Sequence, residues 1–233
     1  MLEVKDLYVG YYKDLNILQG VSATAQKAKI TTILGANGVG KSTLLKAIYG
    51  FLRPNSGEVL IDGQSLIGIP THKRIDMGIS YIPQQPGVFR WMTVEENLEL
   101  GAWTFKNDKA RIRRKIEENY ERFPMLKERR KSKAGELSGG MQRMVEVGRT
   151  LMTDPKIILV DEPTAGLAKL LSEEVYQMLI QLRDEEDMTI VLVDQEIRQA
   201  LKIADYVYVL ELGRNRFEGP VEEFTDLKKA FWA

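Results

Sequence analysis

The chain has 233 residues, 44% of them hydrophobic, so one large domain with its own core is expected and no covalent staple is needed. Lysine plus arginine equals aspartate plus glutamate at 33 each, which leaves no whole-chain basic footprint for nucleic acid. There is no cysteine, which excludes disulfides and thiolate metal sites, and the single histidine, His72, is expected at the surface.

Short apolar runs rich in β-branched residues alternate with amphipathic patterns along the chain. Strands are expected at 2–9 and 30–34, a helix at 42–49, and strands at 59–61 and 79–82. Helices at 94–102, 109–122 and 140–153 follow. A strand at 156–160, a helix at 170–186, a strand at 189–193, a helix at 197–203 and a strand at 206–210 complete the order. Strand–helix alternation argues for an α/β fold on a mostly parallel sheet. The block 85–153 reads as helical and lies between two strands. It is therefore expected to be a helical subdomain inserted into a core of 1–84 and 154–233. Within it, 109–133 is dense in charge, and its interspersed glutamates favour a solvated helix over an anion-binding face. The first residues lack a signal-peptide pattern, and no apolar run approaches the roughly 18 residues that span a bilayer. A soluble chain that docks on a membrane partner is compatible with both.

The run "GANGVGKST", Gly35, Ala36, Asn37, Gly38, Val39, Gly40, Lys41, Ser42 and Thr43, follows an apolar strand and opens a helix. It matches G-x-x-x-x-G-K-[ST]. Glycines let the backbone wrap with its N–H groups turned inward as an anion nest, and the helix N-terminus adds partial positive charge. Lys41 is expected to reach the β- and γ-phosphates of a nucleotide, and the Ser42 hydroxyl to ligate Mg2+.

Such a loop calls for an acidic partner on a neighbouring strand. "KIILVDEP" supplies one: Asp161 ends an apolar strand and is placed to hold Mg2+, and Glu162 follows as the candidate that orients the attacking water. "LSGGMQR" puts Ser138 as the cap of a helix whose apolar side is Met144, Val145, Gly148 and Leu151. "YIPQ" ends another strand at Gln84.

The order of P-loop, glutamine after a strand, L-S-G-G and apolar-D-E-P resembles the nucleotide-binding domains of ABC ATPases, and the resemblance covers essentially the whole chain. It implies an ABC ATPase fold: a P-loop core of mostly parallel sheet, an antiparallel N-terminal β part and the inserted helical block. It implies ATP and Mg2+ as ligands and head-to-tail pairing with a second ABC ATPase subunit. Ser138, Gly139 and Gly140 would then reach the partner's γ-phosphate. Gln84 would contact Mg2+ and the attacking water. The aromatic at Tyr12, with Tyr11 as competitor, would stack on adenine. Val88, Phe89, Trp91 and Met92 sit where such domains receive membrane permease subunits, which implies a cytoplasmic chain peripheral on the inner face of the cell membrane.

The chain departs from the family pattern in three places. Gln195 stands where many members carry a histidine; its amide can donate to a γ-phosphate but cannot take a proton. Ala168 replaces the usual aspartate in "PTAGLAKL", and Met141 the usual glutamine of the signature. Gln195, the following Q-A-L-K-x-A-D, and T-V-E-E-N-L after Gln84 resemble the branched-chain amino-acid importer ATPases. Urea and amide importers share these features. A non-transport ABC protein would be expected to carry coiled-coil insertions or a second ATPase domain; Gln195 and Ala168 leave open a regulatory ATPase that binds ATP but hydrolyses poorly, against which the presence of Lys41, Ser42, Asp161 and Glu162 argues.

Overall fold

The computed structural model describes residues 1–12 and 15–224. Ten strands, eight α-helices and three short 3-10 turns are found among the described residues. Strands β1 (Leu2–Val9), β2 (Leu18–Ala25), β4 (Ser56–Ile61) and β5 (Gln64–Ser65) form an antiparallel sheet in the order β2-β1-β4-β5. Strands β3 (Ile30–Leu34), β6 (Ile79–Ile82), β7 (Ile157–Asp161), β8 (Thr189–Val193), β9 (Tyr206–Glu211) and β10 (Arg214–Pro220) form the second, ordered β10-β9-β3-β8-β7-β6. Only β10 runs antiparallel there, as the return arm of a hairpin with β9.

The parallel strands are buried on both faces, which is why they read as unbroken apolar runs rather than as alternation. The two-residue period still sorts their side chains. Ile33, Ile157, Leu159, Val191 and Val193 face a core shared with the antiparallel sheet and helix α1 (Lys41–Tyr49). Ile30, Leu34, Ile158, Val160, Ile190 and Leu192 face the opposite core, which belongs to the remaining long helices. The P-loop helix is thus clamped between two sheets.

The helices inserted between β6 and β7 each start at a residue that caps or opens them. Between β6 and β7 lie α3 (Val94–Leu100), α4 (Lys109–Arg122), α5 (Pro124–Glu128) and α6 (Gly139–Leu151), with no strand among the described residues. Thr93 and Glu96 form a capping box at the start of α3. Asp108 caps α4, Pro124 opens α5, and Ser138 caps α6 by accepting from the Met141 N–H at 3.3 Å. On α4, Ile116 and Tyr120 are buried in this core and Ile112 packs against it. Helices α7 (Lys169–Glu186) and α8 (Ile197–Ile203) follow β7 and β8. Helix α2 (Thr71–Asp76) is short and polar, and its Arg74 is buried. The Arg74 guanidinium donates to the carbonyls of Ala47 and Ile48 at the end of α1, and of Leu66 and Ile69.

Candidate active site

Four chain segments meet at the carboxyl ends of adjacent parallel strands, where open α/β sheets place their ligand crevices. The loop after β3 carries Gly35–Gly40, β7 ends in Asp161, β8 leads into Asp194 and Gln195, and β6 leads into Gln84. Because β3, β8, β7 and β6 are neighbours in that order, these residues are brought side by side.

The loop needs its glycines. Gly40 adopts φ 110°, and a Cβ there would lie 2.5 Å from Leu18 Cδ2, so both conformation and space exclude a side chain. Lys41, 4% exposed, turns back over the loop and donates to the carbonyls of Gly35 at 2.9 Å and Ala36 at 3.1 Å. Its ammonium also stands 3.8 Å from Glu162 Oε1. Burial lowers the Lys41 pKa, and the nearby carboxylates of Glu162, Asp161 and Asp194 oppose that shift. A cleft of about 1020 Å³ runs from Gly35–Val39 and Gln195 to the β9–β10 hairpin. Ser138, Gly139 and Gly140 do not line it. They lie instead against the segment after Glu162, where added Cβ atoms on Gly139 and Gly140 would meet Leu167 and Leu171.

Glu162 is the centre of the arrangement. It is buried, at φ 44°, a left-handed conformation that costs a non-glycine residue about 1–3 kcal/mol. Its N–H donates to Val193 O at 2.8 Å, which pins it to β8. Its Oε2 accepts from the side-chain amides of Gln84 at 2.7 Å and Gln195 at 2.5 Å. The three residues expected to be catalytic therefore meet on one carboxylate. Asp161 is also buried; its Oδ1 accepts from Ser42 Oγ at 2.7 Å and its Oδ2 from Tyr81 Oη at 2.8 Å.

The backbone at Gln195 is set by Asp194, which is 2% exposed. Asp194 Oδ1 accepts from the N–H groups of Gln195 at 2.7 Å and Glu196 at 3.0 Å, and Oδ2 from Tyr176 Oη at 2.9 Å. Burial pushes the Asp194 carboxyl above its usual range, against the pull of those three donors. The loop after Gln84 is gripped by α6. Arg143, in a 2.6 Å ion pair with Glu146 and buried with it, donates to the carbonyls of Pro83 at 2.7 Å and Gln84 at 2.6 Å. Glu146 accepts from Gly87 N–H at 2.8 Å, and Arg149 donates to Gly87 O at 2.8 Å.

A family model described as "ABC transporter" matches residues 18–165. The chain belongs to that family. This ABC ATPase is 40% identical over 229 residues to a probable branched-chain amino acid transport ATP-binding protein LivF of Archaeoglobus fulgidus, covering 98% of this chain and 96% of that one. It is 42% identical over 204 residues to the high-affinity branched-chain amino acid transport ATP-binding protein BraG of Pseudomonas aeruginosa, covering 88% and 86% of the two chains. Among solved structures it superposes on the ADP conformation of an ATP-binding cassette of an ABC transporter with a TM-score of 0.88. That match has 30% identity and covers 100% of this chain and 96% of the other. The expected fold is therefore the fold observed, including the antiparallel N-terminal sheet.

The residues of this ABC ATPase fit a hard cation. Among the described residues no group of three or more His, Cys, Asp or Glu could enclose a metal ion. Ser42 and Asp161 nevertheless present oxygens side by side beside the phosphate loop. Mg2+ commonly takes one or two such protein ligands and completes its shell with phosphate oxygens and water. Ser42 and Asp161 would hold it, and it would neutralise phosphate charge. Gln84 now points its amide nitrogen at Glu162. Tyr11 and Tyr12 are 56% and 76% exposed, and neither lines the cleft. Lys13 and Asp14 of the same segment lie outside the described residues. Val88 packs against the helical core, whereas Phe89 and Trp91 are 53% and 87% exposed. His72 is exposed, as expected. The sequence reading missed Tyr81, Asp194, Arg143 and Glu146. For the last two the i, i+3 spacing of opposite charges on a predicted helix was an available signal.

Proposed function

We propose that this ABC ATPase powers import of branched-chain amino acids through separate membrane permease subunits, with Mg2+ accompanying ATP. The observation that carries the reading is the convergence of Lys41, Gln84 and Gln195 on the Glu162 carboxylate beside the phosphate loop. The solute class rests on end-to-end similarity to branched-chain amino acid transport subunits. In this reading Gly35–Thr43 cradle the phosphates, Lys41 neutralises the β- and γ-phosphates, and Ser42 and Asp161 hold the cation. Glu162 orients and polarises the attacking water, and Gln84 and Gln195 position Glu162 and contact the γ-phosphate side. Tyr12 stacks on adenine.

The signature residues Ser138–Gly140 do not line the cleft beside the phosphate loop. A second ATPase subunit, identical or sister, completes each site through its α6 N-terminus. The helical block 85–153 is the part that meets the permease. Exposed Phe89 and Trp91 offer the apolar contact, and the chain works as a peripheral protein on the inner face of the membrane. No described helix is long and apolar enough to cross a membrane by itself.

The test is uptake in the source cells with Lys41→Ala in place of the native residue. Accumulation of labelled leucine, isoleucine and valine should fall to background while uptake of unrelated solutes continues. Undiminished uptake of all three would reject the solute assignment.

A further inference from the structure

Tyr81 has no part in the phosphate loop, yet its hydroxyl touches the acid beside it. In the β6–β7 ladder Tyr81 stands opposite Leu159, and Asp161 lies two residues further along β7, on the same face. That offset is about 6.6 Å along the strand. A phenol bridges it, and a serine or threonine hydroxyl would fall short. Tyr81 Oη donates to Asp161 Oδ2 at 2.8 Å. The ring is fixed independently of the hydroxyl. It stacks on Tyr49, centroids 5.5 Å apart, and takes Phe51 edge-on at 5.5 Å. Tyr49 closes the same helix α1 whose first turn carries Ser42.

A carboxylate turns easily about its last bond, because that torsion has broad minima. With Oδ2 held by Tyr81, Oδ1 is left facing Ser42 and accepts its only hydroxyl proton at 2.7 Å. Both lone pairs of Ser42 Oγ are then free for a cation.

We infer that Tyr81 is a positioning residue for the divalent cation that accompanies ATP, acting through Asp161 on Ser42. The inference rests on the ATPase reading and adds a determinant of metal affinity to it.

The test uses the purified chain with Mn2+ as the probe and a non-hydrolysable ATP analogue, free Mn2+ being read by electron paramagnetic resonance. Tyr81→Phe should weaken Mn2+ binding on the order of tenfold, the effect of losing one hydrogen bond to a charged group. Its affinity for the analogue in EDTA should stay within about twofold of wild type, since that state needs no cation. Phe51→Leu, which loosens the ring but keeps the hydroxyl, should lose less Mn2+ affinity than Tyr81→Phe. Unchanged Mn2+ affinity in Tyr81→Phe would overturn the inference. So would a parallel loss of analogue binding in EDTA, or an equal loss in Phe51→Leu. A wild-type chain that binds no Mn2+ with the analogue would instead overturn the ATPase reading beneath it.

Discussion

The side-chain amide of Gln195 donates to Glu162 Oε2 at 2.5 Å, across the β8–β7 boundary of the parallel sheet. Gln84 donates to the same oxygen from the other side, at 2.7 Å. An amide can orient a carboxylate without ever taking its proton. The Glu162 carboxylate is thus held by two neutral donors on one oxygen, with the Lys41 ammonium 3.8 Å from the other.

Gln195→Ala should lower kcat for ATP about tenfold to a hundredfold, the range for a hydrogen bond to a charged group made in the transition state. Gln195→His should restore a donor and keep hydrolysis. It should also add a pH dependence of kcat near about 6.5 that the wild type lacks. Steady-state kinetics from pH 5.5 to 8.5 check both. An alanine variant at the wild-type rate would remove Gln195 from the site.

The Arg143–Glu146 pair is expected to matter as a unit. Glu146→Ala leaves a buried guanidinium facing only the carbonyls of Pro83 and Gln84, and should destabilise the fold by about 3–5 kcal/mol. Replacing both residues by Met and Leu should recover most of that loss. Urea unfolding of the single and double variants measures it. A single variant as stable as wild type would show that the pair carries no net charge burden.

Asp194 gives a pH prediction whose sign follows from its raised pKa. The folded state holds this proton more tightly than the unfolded state, so the contribution is fully present below the ordinary value of 3.8. It is lost as pH rises through the folded pKa. The difference in unfolding free energy between wild type and Asp194→Asn should therefore shrink as pH rises, and then level. Denaturant titrations across that range check it, and a difference that grows with pH would contradict it.

Most of the fold was legible because buried parallel strands and long amphipathic helices write strong local patterns. Strands β1, β3, β6 and β8 and helices α4 and α8 fall on the residues expected, and the other predicted strands and helices differ by a few residues at most. Strand β2 escaped because its burial is broken by a glycine at φ 80° and by half-exposed polar residues. Strand β10 escaped because it is a charged edge strand, recognisable only by the Leu212–Gly213 turn with positive φ at both positions. The phosphate loop, Asp161 and Glu162 were legible as contiguous motifs. Gln84 and Gln195 were reached only through the family resemblance, and Tyr81 and Asp194 not at all, because the four gather through strand order, which no local pattern encodes.

The central claim is that Glu162 performs hydrolysis in a site that a second copy completes. Light scattering of Glu162→Gln with and without Mg-ATP, alongside its turnover, tests it most directly. The account predicts a protein that is monomeric alone, dimeric with Mg-ATP, and slowed by at least about a hundredfold, as for loss of a general base. Turnover of the variant at the wild-type rate would contradict it.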